Sequence, residues 1–307
     1  MLKPFQIRQR IRVSWPYGGR VLALVAAAAL GGCSEGVLDP KGPIASAEKM
    51  ILFDSLGIML AIVIPTIVAT LGVAFWFRSS NTRAPHLPDW EYSGRLELIV
   101  WSIPAMTVLL VGGIGWISAH DLDPRKPIAS SAKPVAVQVV SLDWKWLFIY
   151  PDQGIASVNR LIIPAATPIS FDLTSAGVMN SFFVPQLGSQ IYTMAKMVTH
   201  LQLLADAPGT YPGFSAQFSG NGFADMQFTV DAVSPEQFAQ WAAAARNTGP
   251  TLDPPSYAEL ARPTQSVPPF TYRAVAPGLF QTIVSPNETP VHPSHTAHAT
   301  DVRGSAH

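Results

Sequence analysis

Residues 211–230 read Tyr-Pro-Gly-Phe-Ser-Ala-Gln-Phe-Ser-Gly-Asn-Gly-Phe-Ala-Asp-Met-Gln-Phe-Thr-Val, and the spacing inside this stretch governs the fold reading. Ser215, Gln217, Ser219, Phe223 and Met226 stand at the intervals of a copper-binding loop. Thiolates at the first and third of these positions, with an imidazole at the fourth, would hold a binuclear centre of soft ligands. Here those positions are serine, serine and phenylalanine. A hydroxyl does not replace a thiolate, and a phenyl ring has no lone pair to donate. Only Met226 keeps a ligating atom, and one thioether does not hold copper.

Upstream, Ser175-Ala-Gly-Val-Met-Asn-Ser-Phe-Phe-Val-Pro-Gln-Leu-Gly188 places Asn180 where a further histidine ligand would be required. This pattern, Met-Asn-Ser-Phe-Phe-x-Pro-x-Leu-Gly-Ser-Gln-Ile-Tyr, together with the degenerate loop, resembles subunit II of the haem-copper respiratory oxidases. It is similar to the quinol-oxidising branch, the bacterial cytochrome bo-type ubiquinol oxidases. Relatives that oxidise cytochrome c carry Cys-x-Glu-x-Cys-x3-His-x2-Met at the loop. The likeness runs from about residue 21 to residue 285 and leaves only the two tails unmatched.

The resemblance implies two transmembrane helices followed by a periplasmic, cupredoxin-like antiparallel β sandwich. It implies a noncatalytic subunit of a proton-pumping ubiquinol oxidase that reduces dioxygen to water. No cofactor is expected in this chain; haems, copper and quinol chemistry belong to the integral subunit I. The partners implied are subunit I, the other oxidase subunits and membrane lipid, with ubiquinol reached through the complex. The rival is a copper-carrying electron-transfer subunit II of a cytochrome c oxidase, against which the missing cysteine pair and histidines argue. A free-standing lipoprotein binding module is a third reading, for which two spans plus a lipid anchor are redundant.

Composition agrees with a membrane protein. Charged residues make up 13% of the 307, about half of the roughly 25% usual in soluble chains, and mean hydropathy is +0.24. Net charge is zero, so nothing argues for nucleic acid. No Gly-rich phosphate loop follows a predicted strand, which sets aside dehydrogenase and kinase chemistry.

Residues 1–20 carry Lys3, Arg8, Arg10, Arg12 and Arg20 and no acid; an apolar run from Val21 to Leu30 and then Gly-Gly-Cys33 follow. A basic segment, a short apolar run and small residues before a cut form a secretory signal over residues 1–32. With cysteine just after the cut it resembles a bacterial lipoprotein signal, leaving lipidated Cys33 as the mature N-terminus. Cys33 is the only cysteine, so no disulfide is available.

Ser55–Phe77 and Leu98–Ala119 are free of charge over 23 and 22 residues, and about 20 suffice to cross a bilayer as a helix. An outer N-terminus sends the first span inward and the second outward. The connecting loop, with Arg78, Arg83 and Arg95, is then on the inner side, as the positive-inside rule requires. Glu97 opens the second span at that inner face. In the family an acid at the matching place lies by the entrance of a proton pathway in subunit I; a solvated helix-start carboxylate is the alternative. The unit 33–120 is thus an inner-membrane anchor, and all that follows is periplasmic.

From Pro134 short alternating runs bounded by Pro, Gly, Asn and Asp predict strands, and 121–232 reads as the sandwich domain. Trp144 and Trp146 are expected either at an electron-accepting surface or, preferably, packed against the partner subunit. Ser234 to Arg246 predicts a helix capped by Ser234 with Pro235 in its first turn. The aromatic-rich remainder of 233–285 is expected along a partner surface. Residues 286–307, with His292, His295, His298 and His307, read as a polar disordered tail.

Overall fold

A computed structural model describes residues 36–85 and 87–285; the segment 1–32 read as a signal, Cys33 and the His-containing tail lie outside the described residues. Helices α1 (Pro43–Trp76) and α2 (Gly94–Asp121) carry the two charge-free runs. Both are long and apolar enough to cross a membrane. Leu71, Phe75, Trp101 and Leu109 stand exposed along them, an arrangement that only lipid or a partner helix satisfies.

Helix α1 has 34 residues. At about 1.5 Å per residue it spans roughly 50 Å, well past the ~30 Å of a hydrocarbon core. The surplus lies at its N-terminus, which starts at Pro43 rather than near Ser55. Those first turns are built into the β domain. Lys41 N donates to Gln186 O at 2.7 Å, Ala45 N to Leu187 O at 3.3 Å, and Asp206 N to Lys41 O at 2.8 Å. Ala45 is buried, and Glu48 accepts a hydrogen bond from Ser189. Past the end of α2, Pro124 O accepts from Gln202 N at 3.0 Å.

The β domain consists of two sheets. One has the strand order β12-β3-β2-β1-β5-β8, from β1 (Val135–Leu142), β2 (Lys145–Tyr150), β3 (Ile155–Val158), β5 (Ile169–Ser175), β8 (Thr199–Leu203) and β12 (Phe270–Tyr272). The other has the order β4-β10-β9-β6-β7, from β4 (Arg160–Pro164), β6 (Asn180–Phe183), β7 (Ile191–Thr193), β9 (Gly209–Ser215) and β10 (Gln227–Val233). Most pairs are antiparallel, as expected, but β1 with β5 and β4 with β10 are parallel. The chain leaves one sheet and returns to it between these partners, and such a return brings strands side by side in the same direction.

Strand β2 shows why this chain builds more than a sandwich. Trp146, Phe148 and Tyr150 point into the space between the sheets, because successive side chains of a strand face opposite ways. Phe182 stacks on Phe228 there at 5.0 Å, and Trp146 meets both rings at 5.5 Å. Leu147 and Ile149 point to the other side, into a second apolar cluster with Leu252, Leu260, Tyr272, Leu279 and Phe280.

That second cluster shows what part of the C-terminal region packs against inside the chain. Its helices α4 (Pro254–Leu260) and α5 (Leu279–Val284), with β12 and the β11–β13 pair (Thr251–Leu252, Ala274–Val275), cover the outer face of the six-stranded sheet. Leu252, Leu260, Tyr272, Leu279 and Phe280 are buried within the chain, while Phe270 stays exposed. Helix α3 (Pro235–Ala245) precedes them, with Ser234 and Gln237 forming a capping box.

Candidate functional site

Three loops converge at one end of the sandwich. They are the β1–β2 turn at Asp143-Trp144, the β5–β6 loop before Asn180, and the β9–β10 loop from Ser215 to Met226. The structure brings together most of the positions singled out in the sequence. Ser215 Oγ lies 3.2 Å from Asn180 Oδ1 and 3.2 Å from Gln217 O, so its single proton serves one or the other. Asn180 Nδ2 donates to Val178 O at 3.2 Å. Ser219 Oγ is 3.9 Å from Met226 Sδ. Asn180, Ser215 and Met226 are buried, while Gln217, Ser219 and Phe223 are half-buried. Phe223 packs its ring against Phe218 at 5.5 Å.

These side chains do not fit a binuclear copper centre. The Ser215 and Asn180 polar atoms are engaged with one another and with backbone, the Ser219 hydroxyl lies against Met226, Phe223 offers a hydrocarbon face, and Met226 supplies the one soft atom. Among the described residues, no three His, Cys, Asp or Glu side chains gather to hold a metal ion.

Two tryptophans take places that their spacing did not reveal. Trp146 is fully buried in the core, so it is neither an electron-accepting surface nor a contact for a partner. Its indole N–H has no hydrogen-bond acceptor among the surrounding rings. Trp144, half-buried and at φ 65°, donates its indole N–H to Ser219 O at 3.1 Å. The ring covers Gly220 and Gly222, and a Cβ on Gly222 would overlap it. Trp144 therefore clamps the loop across which a metal would otherwise be the organiser. A signal for it exists, an aromatic in a two-residue turn between strands, but its contact is 75 residues away.

Glu97 stands apart from this cluster. It lies in the first turn of α2 with its side chain exposed, and its N–H donates to Ser93 O at 3.0 Å. Since α2 ends beside the β domain, Glu97 is at the opposite end of the helix, about 40 Å away at 1.5 Å per residue.

A family model described as the cytochrome c oxidase subunit II periplasmic domain matches residues 153–233, and one described as the COX aromatic rich motif matches residues 246–287. The chain is similar to the cytochrome bo(3) ubiquinol oxidase subunit 2 of Pseudomonas aeruginosa, with 45% identity over 286 residues, covering 93% of this chain and 84% of that one. It is 48% identical over 269 residues to the ubiquinol oxidase subunit 2 of Acetobacter aceti, covering 87% of each. Among solved structures it is similar to the periplasmic domain of cytochrome oxidase subunit II of Bradyrhizobium japonicum. That match has a TM-score of 0.37 at 22% identity, covering 39% of this chain and 98% of that one.

Proposed function

This chain belongs to the ubiquinol oxidase subunit 2 family, and from that premise we propose that it is the copper-free, noncatalytic subunit of a proton-translocating quinol oxidase. The observation that carries the reading is the site itself: Asn180 and Ser215 hydrogen-bond to each other at the positions where copper ligands would have to be. Haems, copper and quinol chemistry are then assigned to subunit I. The electron does not pass through this chain.

Its own tasks are anchorage, assembly and proton access. The two helices lie against subunit I and lipid, lipidated Cys33 adds an outer-leaflet anchor after removal of residues 1–32, and the sandwich stands over the complex in the periplasm. Glu97, at the helix end remote from the sandwich, serves as the acid at the proton entrance on the inner side. The sandwich (121–232), the extension (233–285) and the tail (286–307) follow the anchor (33–120) in this division of labour.

The test is purification from native membranes in mild detergent. The chain is expected to co-purify with haem and with quinol-dependent oxygen uptake. Expressed without its partners, it is expected to carry no stoichiometric copper and no thiolate-to-copper absorption band. Copper bound one-for-one or two-for-one to the chain alone would overturn the reading in favour of an electron-transfer subunit.

A further inference from the structure

Lys145 is a cation that the fold hides. It begins β2, directly after the Trp144 turn, and points away from the sandwich toward the C-terminal extension. It is 1% exposed. Its Nζ donates to Arg262 O at 2.8 Å and to the Thr264 hydroxyl, both just past the end of α4. An ammonium has three protons to place, so one is left over. No carboxylate lies at ion-pairing distance from it among the described residues. Burial lowers its pKa, and the more distant charge of Asp143 opposes that shift only in part.

Beside it is a shallow cavity of about 390 Å³, widely open to solvent, between the extension and the six-stranded sheet. Its wall is largely apolar, with Leu260, Val267, Phe270 and Tyr272, and Lys145 lines it. Glu259 sits at its rim, but its carboxylate is exposed and already paired with Arg262 at 2.8 Å. The volume falls within the usual range for small-ligand sites, about 300–1,000 Å³. A buried charge without a counter-charge is costly, and an anion of matching shape removes that cost.

We infer that this cavity is a binding site for a small amphiphilic carboxylate, its charged end on Lys145 and its flat apolar body against Phe270 and Tyr272. The inference is independent of the oxidase reading, because the site is formed wholly by β2 and the extension. The carboxylate supplies the missing counter-charge and takes the remaining ammonium proton. A neutral molecule of the same shape gains only the apolar contact.

The test uses the full-length protein, purified from its membrane, in lipid nanodiscs and equilibrium dialysis with labelled benzoate, empty nanodiscs giving the membrane share. One saturable benzoate site per chain is expected. Benzamide is expected to bind at least tenfold more weakly, and Lys145→Met to weaken benzoate at least tenfold. Should Lys145→Met fail to assemble, Val267→Trp, which fills the cavity while keeping the cation, is expected to abolish the site. Absence of saturable benzoate, equal binding of benzamide, or unchanged binding in Val267→Trp would each overturn the inference.

Discussion

Trp144 separates two contributions that substitutions can take apart. Trp144→Phe keeps a ring over Gly222 but loses the hydrogen bond to Ser219 O, worth about 0.5–1.5 kcal/mol. Trp144→Ala removes the cover altogether, and amide exchange in residues 215–226 is expected to accelerate well beyond the phenylalanine variant. Gly222→Ala drives a methyl group into the indole and is expected to cost about 1–3 kcal/mol, read from denaturant midpoints. Unchanged exchange in all three would remove Trp144 from its role as clamp. Tyr150 gives the pH dependence at this scale. Its hydroxyl donates to Ile162 O at 3.0 Å and accepts from Ile162 N at 2.9 Å, and burial raises its pKa well above the ordinary 10. Below pH 10 both states hold the proton and the contribution is complete. Above it the unfolded chain releases a proton that the fold retains, so stability falls as pH rises toward the folded value. Tyr150→Phe is expected to lower stability at neutral pH and to flatten that alkaline decline in a denaturation series.

Among elements, the ones legible in the sequence were those exposed on one side. Helix α3 could be read from Ser234-Pro235 and its apolar stripe, and its cap is in place. Ser234→Ala is expected to cost about 0.5–2 kcal/mol, measured by denaturant unfolding, with little effect on oxygen uptake. The membrane helices were legible from charge alone, yet the start of α1 was not. Ala45 and Glu48 look like a polar lead-in until the loop at Leu187–Ser189 is seen closing on them. Strand β2 failed for a physical reason. Lys-Trp-Leu-Phe-Ile-Tyr does not alternate because both of its faces are covered, and a strand buried twice has no polar side to announce its period. The same double burial hides the inner contacts of the extension, whose apolar residues say that they must be covered but not by what. Removing residues 250–285 is expected to expose the outer face of the six-stranded sheet and to yield aggregated rather than merely truncated protein, visible by size-exclusion chromatography.

At the scale of the whole molecule, the proposed roles lie at two ends. The meeting of Asn180 and Ser215 was legible because the sequence spacing singled out both: they lie 35 residues apart and hydrogen-bond to each other. Glu97 was legible only by likeness, since an acid in the first turn of a helix looks the same whether or not a proton passes it. Turnover distinguishes the two. Glu97→Ala is expected to slow oxygen reduction with haem content and quinol affinity intact, and Glu97→Asp to retain much of the rate. A helix-start carboxylate predicts instead a loss of about 0.3–1 kcal/mol and normal turnover at every pH.

The β domain is fastened near both helices, by Lys41 before α1, by Ala45 in its first turn and by Pro124 after α2. A head on a single tether swivels; one gripped at two points has lost that axis. Any tilt of one helix relative to the other in the bilayer must then either break these bonds or turn the head as a rigid lever. Motion within the membrane is thereby geared to the periplasmic surface, and a force applied at that surface is felt, in reverse, as torque between the two spans.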